Sequence, residues 1–253
     1  MVERLSPYPA YKPSGVEWLG DVLAHWEVRP IKRWLVVNQS VLPDDTDPDH
    51  VLEYLEVGSV GTGKLVTPPE RIRFGDAPSR ARRVVRTGDT IISTVRTYLK
   101  AVWHAERAAP RLIASTGFAV LTPRYGTSPK FVSYTCQSQP LTDQVTANSV
   151  GVAYPAIAES SLGTLKVAVP SLKEQVGIAR FLDHATSRID RYIRAKQRLF
   201  GSTKSSVGGG SGLLGEYRDR LISDIVTGKL DTREATAALQ VENDNASAEG
   251  GSK

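Results

Sequence analysis

The clearest hydrophobic pattern in this chain lies towards its C-terminus, where apolar residues recur at alternating steps of four and three. Over residues 174–199 this spacing places a stripe along one face of a charged helix. A second helical stripe follows a short interruption. A narrow apolar stripe needs another helix to cover it, so we predict a helical docking arm. The two stripes comprise Ile178, Leu182, Ala185, Ile189, Tyr192, Lys196 and Leu199, then Leu214, Tyr217, Leu221 and Ile225.

The same periodicity is equally typical of an amphipathic helix that packs on its own domain. Between the stripes, residues 201–212 read GSTKSSVGGGSG, a composition typical of flexible coil. We therefore predict a spacer or dimerisation arm over residues 173–230 that is interrupted by this linker. The small, polar and acidic residues that follow predict a disordered tail over 231–253.

Upstream of residue 173, short runs rich in Val, Ile and Thr replace the helical pattern. These runs are bounded by Gly, Pro and Asp and predict strands at 51–57, 84–95, 114–123 and 165–170. Residues 129–145 have a helical pattern that Pro140 should kink or split. The expected fold class is α+β, with a mixed α/β domain over residues 1–172 followed by long helices that form a coiled-coil-like arm.

Composition narrows the class of protein. The 253 residues are 40% hydrophobic, enough to form a core, and no apolar run approaches membrane-spanning length. The N-terminal residues lack the apolar segment of a secretory signal. Cys136 is the only cysteine, which excludes intramolecular disulfides and cysteine-based zinc fingers. We expect a cytoplasmic protein that needs no cofactor and no metal.

The net charge of +5 is unevenly placed. Residues 64–111 contain eleven Lys and Arg against four acids, whereas residues 44–56 are acidic. A concentrated basic segment indicates a polyanionic partner such as nucleic acid, although a solvated basic surface has the same composition.

Two segments are candidates for contact with DNA. Arg can bond a guanine edge or a phosphate with two donors, and hydroxyl side chains commonly bond phosphate oxygens. Residues 94–98 follow a predicted strand and should project as a loop, while residues 148–156 have the Gly and Pro of a second loop. The predicted DNA-binding residues are Lys64, Arg71, Arg73, Arg80, Arg82, Arg83, Arg96, Thr97, Tyr98, Lys100, Asn148, Ser149 and Tyr154.

Catalytic motifs are not convincing. The segment 58–64 nearly matches a phosphate-binding loop, but Leu65 replaces the residue that would hold Mg²⁺ and no helix follows. A glycine-rich hairpin is the better interpretation. The four histidines lack metal-ligand spacing, and we find no nucleophile elbow, adenine methylation motif or convincing nuclease acid cluster. These patterns favour a binding module over an enzyme such as a nucleotide hydrolase that would use Lys64.

Several separated motifs together resemble Type I restriction–modification specificity subunits. They occur in one order: GVEWLG and HWEV, GDTIISTVRTYLKAV, ASTGFAVLTP, GVAYPAI, PSLKEQVGIARFLD and EYRDRLISDIVTGKLD. The resemblance covers most of residues 8–233 and is strongest where the PSLKEQ segment joins the predicted body to the long helix.

The resemblance implies a non-catalytic subunit that reads one half of a split site in double-stranded DNA. It implies adenine-methylating modification subunits as partners, with a motor/nuclease subunit as a further one. Such subunits usually contain two target recognition domains, whereas this chain has the pattern of one and resembles a half-subunit that would form a homodimer through its helices. The alternative is an assembly or anti-restriction protein that occupies modification subunits without specific DNA readout.

Overall fold

A computed structural model describes residues 5–200 and 208–239 of the chain. Within these ranges, no helix is both long enough and apolar enough to cross a membrane. The structure contains both sheets and long helices, as the predicted α+β class requires. The strands are β1 (Tyr11–Pro13), β2 (Asp21–Leu23), β3 (Glu27–Pro30), β4 (Leu35–Val37), β5 (Val51–Leu55), β6 (Val60–Gly61), β7 (Lys64–Leu65), β8 (Glu70–Arg73), β9 (Ala81–Val84), β10 (Thr90–Ser93), β11 (Val102–His104), β12 (Leu112–Ser115), β13 (Phe118–Pro123) and β14 (Lys166–Val169). The helices are α1 (Ile31–Trp34), α2 (Pro129–Gln137), α3 (Gln139–Ala147), α4 (Glu159–Thr164), α5 (Leu172–Phe200) and α6 (Gly208–Val226).

Within the described residues, the strands form two four-stranded sheets and three two-stranded ones, β1-β2, β14-β3 and β6-β7, which together are the β part of the molecule. One sheet has the antiparallel order β11-β10-β13-β4, and the other has the order β8-β5-β12-β9 with β12 parallel to β5. The predicted strand at 114–123 is two strands in two different sheets. Gly117 lies at the turn between them, where an added Cβ would approach a Val57 methyl carbon to 2.9 Å. The change of sheet therefore needs a residue without a side chain.

The predicted helix at 129–145 is split, as the proline indicated. α2 ends at Gln137 and α3 begins at Gln139, with Pro140 in the first turn of α3 where its missing N–H costs nothing. α2 packs against the β11-β10-β13-β4 sheet, and both helices pack against α6, which places Phe131 and Leu141 in the main hydrophobic core.

The junction between the β part and α5 explains the PSLKEQ motif. Ser171 accepts a hydrogen bond at its Oγ from the Glu174 backbone N–H (3.4 Å), and Glu174 Oε2 accepts one from the Ser171 N–H (3.2 Å). This is a capping box at the start of α5. Glu174 Oε1 also accepts from Trp26 Nε1 (3.1 Å), and Gln175 bridges the Pro170 carbonyl and the Ser128 N–H. Burial raises the pKa of Glu174, but hydrogen bonds from His25, Ser171 and Trp26 outweigh it and hold the pKa below its usual value.

The end of α6 explains the VTGKLD motif. The Gly228 N–H donates to the Ile225 carbonyl and the Lys229 N–H donates to the Asp224 carbonyl, which together form a Schellman C-cap. Gly228 has a φ of +79° and lies so close to Leu23 that an added Cβ would approach Leu23 Cγ to 2.9 Å. Motifs from both ends of the chain therefore meet at this point of the core.

The predicted helical seam is covered by the chain itself. α6 runs back along α5: Arg218 pairs with Asp190 (3.4 Å), and Thr236, beyond α6, contacts Gly177 near the start of α5. The inward residues form one core with the β part, so these residues do not form an open docking seam, and the boundary at residue 172 does not separate two cores. The buried members of the predicted seam are Ile178, Leu182, Ala185, Ile189, Leu221 and Ile225, with Leu214 half-buried beside them.

Tyr192 departs from the predicted seam. Its side chain is 70% exposed, and Ile193 packs against the core in its place, because a step of four from Ile189 keeps the stripe on the inward face. Tyr217 is also exposed. The side chain of Leu199 lies outside the described residues.

The linker and the tail differ from the prediction. Residues 201–207 lie outside the described residues, but α6 already begins at Gly208, inside the predicted linker. The tail does not begin at residue 231, because residues 233–239 are helical and Thr232 and Ala235 are buried. Ala235 belongs to the main core, and this burial orders a segment whose composition alone predicts disorder. Residues 240–253 lie outside the described residues.

Candidate nucleic-acid interface

The two predicted DNA-contacting loops meet in the structure. Val95 pairs with Ala156, and Ala156 pairs in turn with Val150, so three chain segments lie side by side. The Thr97 N–H donates to the Pro155 carbonyl (3.4 Å), and the hydroxyls of Thr97 and Ser149 are 3.2 Å apart. Residues 94–100 and 148–156 therefore form one unit, which we call the paired-loop surface.

The first loop of this surface has an unusual backbone. A single 3₁₀ turn over Thr97–Leu99 is flanked by Arg96 (φ 49°) and Lys100 (φ 48°), both in the left-handed region. Among the described residues, Asn38 is the only other non-glycine with a positive φ. A left-handed conformation in such a residue costs on the order of 1 kcal/mol and is often found at functional sites.

The exposed part of the paired-loop surface combines one cation with aromatic and apolar side chains. The Arg96 guanidinium carbon lies 5.3 Å from the centre of the Tyr154 ring, in a cation–π arrangement. Tyr154 is 68% exposed and Tyr98 is 58% exposed. Val150 is 81% exposed and Val152 is fully exposed, although valine is normally a core residue.

Three predicted contact residues instead stabilise the loops from within. Thr97 is only 5% exposed. Asn148 Nδ2 donates to the Gln144 carbonyl at the end of α3 (2.8 Å), and Ser149 Oγ donates to the Val145 carbonyl (2.7 Å). Asn148 stays at the surface, but its amide N–H is already engaged. The prediction that Thr97 contacts DNA stays a prediction, but its buried hydroxyl already joins the two loops.

Much of the predicted basic segment is neutralised inside the chain. Its partners come mainly from the acidic segment 44–56, which contains β5, the neighbour of β8 in the second sheet. The ion pairs are Arg73 with Asp49 (3.2 Å) and with Asp76 (3.4 Å), Arg80 with Glu56, Arg82 with Asp44 (3.2 Å), and Arg83 with Glu159. The sequence count of positive charge therefore overstates the charge available to a polyanion, and Arg83 is largely buried.

The remaining predicted cations lie in two places. Lys64 lies in the β6–β7 hairpin, whose Thr62 hydroxyl donates to the Lys100 carbonyl (2.9 Å), so this hairpin adjoins the paired-loop surface. Lys100 Nζ donates to Gln139 Oε1 (3.0 Å). Arg71 lies on β8, at the edge of the other sheet, opposite Glu53. The structure thus gathers Lys64, Arg96 and Lys100 and leaves Arg71 apart.

The glycine-rich segment is a hairpin and not a phosphate-binding loop. Its Gly63 N–H donates to the Val102 carbonyl (2.7 Å), and Gly63 lies against the Gln137 side chain. No metal-binding group of three or more His, Cys, Asp or Glu occurs within residues 5–200 and 208–239.

A polar groove lies between the β6–β7 hairpin and the helices. Asp183 on α5 accepts from Lys130 Nζ (2.8 Å) and from the Tyr134 hydroxyl (2.8 Å), and Lys130 also pairs with Glu106 (3.2 Å). Burial lowers the pKa of nearby His104. This network holds the helices against the part of the molecule that bears the paired-loop surface.

Sequence reasoning missed Val150, Val152 and Glu159. The two valines flank Gly151 in a segment that also contains Pro155, and apolar residues in a short Gly/Pro-bounded loop are the signal that could have identified them. The pairing of Glu159 with Arg83 has no signal in the sequence, because these residues are distant along the chain.

Comparison with known proteins agrees with this geometry. The family model for the Type I restriction modification DNA specificity domain matches residues 86–197, which include both loops and most of α5. Residues 86–197 are thus similar to a Type I restriction modification DNA specificity domain. This matched region contains the paired-loop surface and the capping-box junction.

Two solved structures from type I restriction–modification systems resemble the chain. The HsdS subunit from Thermoanaerobacter tengcongensis is 26% identical with a TM-score of 0.60, over 70% of this chain and 46% of that one. A structure described as showing complex assembly and conformational transition of the type I R-M system is 26% identical with a TM-score of 0.62, over the same shares. The chain thus spans less than half the length of these specificity-subunit structures. No curated protein matches the sequence.

Proposed function

We propose that this chain is the DNA-recognition component of a Type I restriction–modification complex and that its paired-loop surface reads one half-site. The observation that carries the proposal is that two loops far apart in the sequence pair to form one surface. The loops are 53 residues apart, measured from Val95 to Asn148, and both lie within the region that matches the specificity-domain model. Its side chains suit DNA: a planar cation, two tyrosines and exposed valines can meet base edges, while neighbouring lysines can meet phosphates.

The roles divide between affinity and readout. Lys64 beside the paired-loop surface and Lys100 at its edge would supply phosphate contacts that carry no sequence information. Arg96, Tyr98 and Tyr154 would contact bases. Arg73, Arg80, Arg82 and Arg83 would contribute little, because each is already paired with a carboxylate of the same chain. We further propose that the chain catalyses no reaction itself and that a partner modification subunit methylates the DNA.

Selection of bound duplexes from a randomised library by the purified full chain tests the proposal. We expect a short preferred sequence, whose affinity falls linearly with salt on logarithmic axes with a slope of about −0.9 for each phosphate neutralised. Lys64→Gln should weaken preferred and random duplexes equally and reduce that slope by about one phosphate. Equal affinity of the wild type for all duplexes would contradict specific recognition and favour the assembly or anti-restriction alternative.

We also propose that two copies associate through the outer faces of α5 and α6 and so bring together two half-sites. The inward faces are covered, but Tyr192, Leu213 and Tyr217 remain exposed. The Asp190–Arg218 ion pair joins α5 to α6 close in sequence to Tyr192 and Tyr217. The solved specificity-subunit chains are more than twice as long as the matched region, so a second copy would supply a second recognition unit.

Sedimentation should then give twice the 27.5 kDa mass of the chain. The Tyr192→Ala and Tyr217→Ala double variant should shift the protein to the monomer, because it removes two exposed aromatic contacts. Tyr125→Ala, which removes an exposed tyrosine that lies in the turn before α2 and not on α5 or α6, should leave the mass unchanged. Mapping methylated adenines after co-expression with a Type I modification subunit should show a two-fold symmetric site. A wild-type monomer that still directs methylation to an asymmetric site would contradict the homodimer.

A further inference from the structure

We propose that Arg96 reads a guanine in the half-site and that Tyr154 is the positioning residue that fixes the plane of its guanidinium. The inference rests on the proposed function and names the base and the side chains that recognise it. Its starting point is the placement of Arg96 Cζ 5.3 Å from the centre of the Tyr154 ring across two loops.

The guanidinium is available to a ligand. Arg96 is exposed, and among the described residues none forms an ion pair with it or accepts a hydrogen bond from its side chain. By contrast, Arg73, Arg80 and Arg82 are all paired with carboxylates. Contact with a ring engages the face of a guanidinium and leaves its in-plane N–H donors free, so Arg96 presents an unused fork.

The backbone around Arg96 is constrained by contacts between the two loops. Arg96 is in the left-handed region, Thr97 is buried beside it, and the Thr97 hydroxyl lies 3.2 Å from that of Ser149 on the other loop. On the preceding side, the Ile157 N–H donates to the Thr94 carbonyl (2.9 Å). The loop that bears Arg96 and the loop that bears Tyr154 are thus joined on both sides of the stack, which limits the orientations that the fork can adopt.

The surroundings favour a base edge over a phosphate. Guanine O6 and N7 form a planar pair of acceptors that matches the fork, and a phosphate group also offers two acceptors. Val150 and Val152 belong to the same paired-loop surface as Arg96, joined to it by the Val95–Ala156–Val150 pairing, and both are exposed. Apolar side chains gain nothing beside phosphates, whereas thymine methyl groups in the major groove provide apolar contact. We therefore assign the guanine edge to Arg96.

Library selection with the full chain and its variants tests the assignment. Arg96→Lys keeps the charge but loses the fork, so it should lose about tenfold in preference at one guanine position and keep the other preferences. Tyr154→Phe should retain the guanine preference, and Tyr154→Leu should weaken it. Arg233→Lys is the matched control. The Arg233 guanidinium carbon also lies over a tyrosine ring, 4.9 Å from the centre of Tyr8, but Arg233 follows α6 and is not part of the paired-loop surface.

Replacing the selected guanine by 7-deazaguanine removes N7 and preserves base pairing. This change should weaken the wild type about tenfold and leave Arg96→Met, which has no donor for N7, unaffected. Equal weakening of all duplexes by Arg96→Met, which removes the charge, with a smaller salt slope would assign Arg96 to a phosphate and overturn the inference while the proposed function stands. Unchanged preference in Arg96→Lys would overturn it as well. A wild type without any preference would remove the proposed function and this inference together.

Discussion

Leu182→Ala is expected to lower the free energy of unfolding by about 3 kcal/mol. Leu182 lies on α5, is completely buried, and belongs to a core that also contains Phe131 of α2 and Ile222 of α6. Its truncation removes buried apolar surface and leaves a cavity between helices that are fixed by their caps and cannot close fully around it. Chemical denaturation followed by circular dichroism measures the change.

Tyr192→Ala is the matched control on the same helix. Because the Tyr192 side chain faces solvent, its removal should change the stability of the monomer by no more than about 0.5 kcal/mol. The difference between the two variants distinguishes a helix packed on its own domain from a docking arm whose apolar stripe is covered by another chain. If both substitutions had small effects, α5 would be an open arm whose stripe waits for another chain, and the shared core described above would be wrong.

This contrast shows what a hydrophobic pattern can specify. The spacing of Ile178, Leu182, Ala185 and Ile189 correctly predicted which face of α5 is buried. It could not identify what covers that face, because an apolar stripe has the same spacing against its own domain or against another chain. Here α6 and α2 supply the cover, through contacts between residues far apart in the sequence.

Local signals were the most reliable. Pro140 correctly predicted the break between α2 and α3, since its effect depends only on its own backbone. The Ser171–Glu174 capping box is likewise a local spacing, and it explains why the PSLKEQ segment was so recognisable. In contrast, residues 114–123 have continuous strand composition, and the change of sheet at Gly117 results from the close approach of distant Val57.

The candidate site was predicted in part. Both loops were identified from their Gly, Pro and hydroxyl content, but their union depends on the long-range pairing of Val95 with Ala156, which no local pattern specifies. Counting charge was less informative, because the acidic segment 44–56 lies against the basic one and pairs with several of its arginines. Sequence proximity of like charges therefore does not establish a basic surface.

Gly151→Val is expected to lower the preference for the selected duplex over random duplex by about 100-fold, out of the roughly 10³- to 10⁷-fold preference that specific DNA-binding proteins show. Gly151 has a φ of +105°, and a Cβ added there would lie 3.1 Å from the Tyr154 carbonyl oxygen. A β-branched residue is strongly disfavoured at such a φ, so the loop must take another path. That path would move Val150, Val152 and Tyr154 together and remove the ring on which Arg96 rests.

Gly151→Val should reduce the preference for the selected duplex without lowering the stability of the protein or its affinity for random duplex. Gly151 lies in an exposed loop outside all three hydrophobic clusters, so the thermal unfolding midpoint should change little. Lys64 and Lys100 keep their positions, so affinity for random duplex at low salt should persist. Titration of labelled selected and random duplexes at matched salt measures both quantities with one protein preparation.

Gly126→Val introduces comparable strain elsewhere. Gly126 has a φ of +79° in a turn that follows Pro123, and an added Cβ would meet no atom within 4 Å. Phe118, at the other end of β13, pairs with Ser93 beside the paired-loop surface, so the turn at Gly126 lies at the opposite end of the sheet. This variant should keep the preference for the selected duplex. Equal loss in both variants would mean that backbone strain acts through the whole fold, and the paired-loop surface would then have no separate part in recognition.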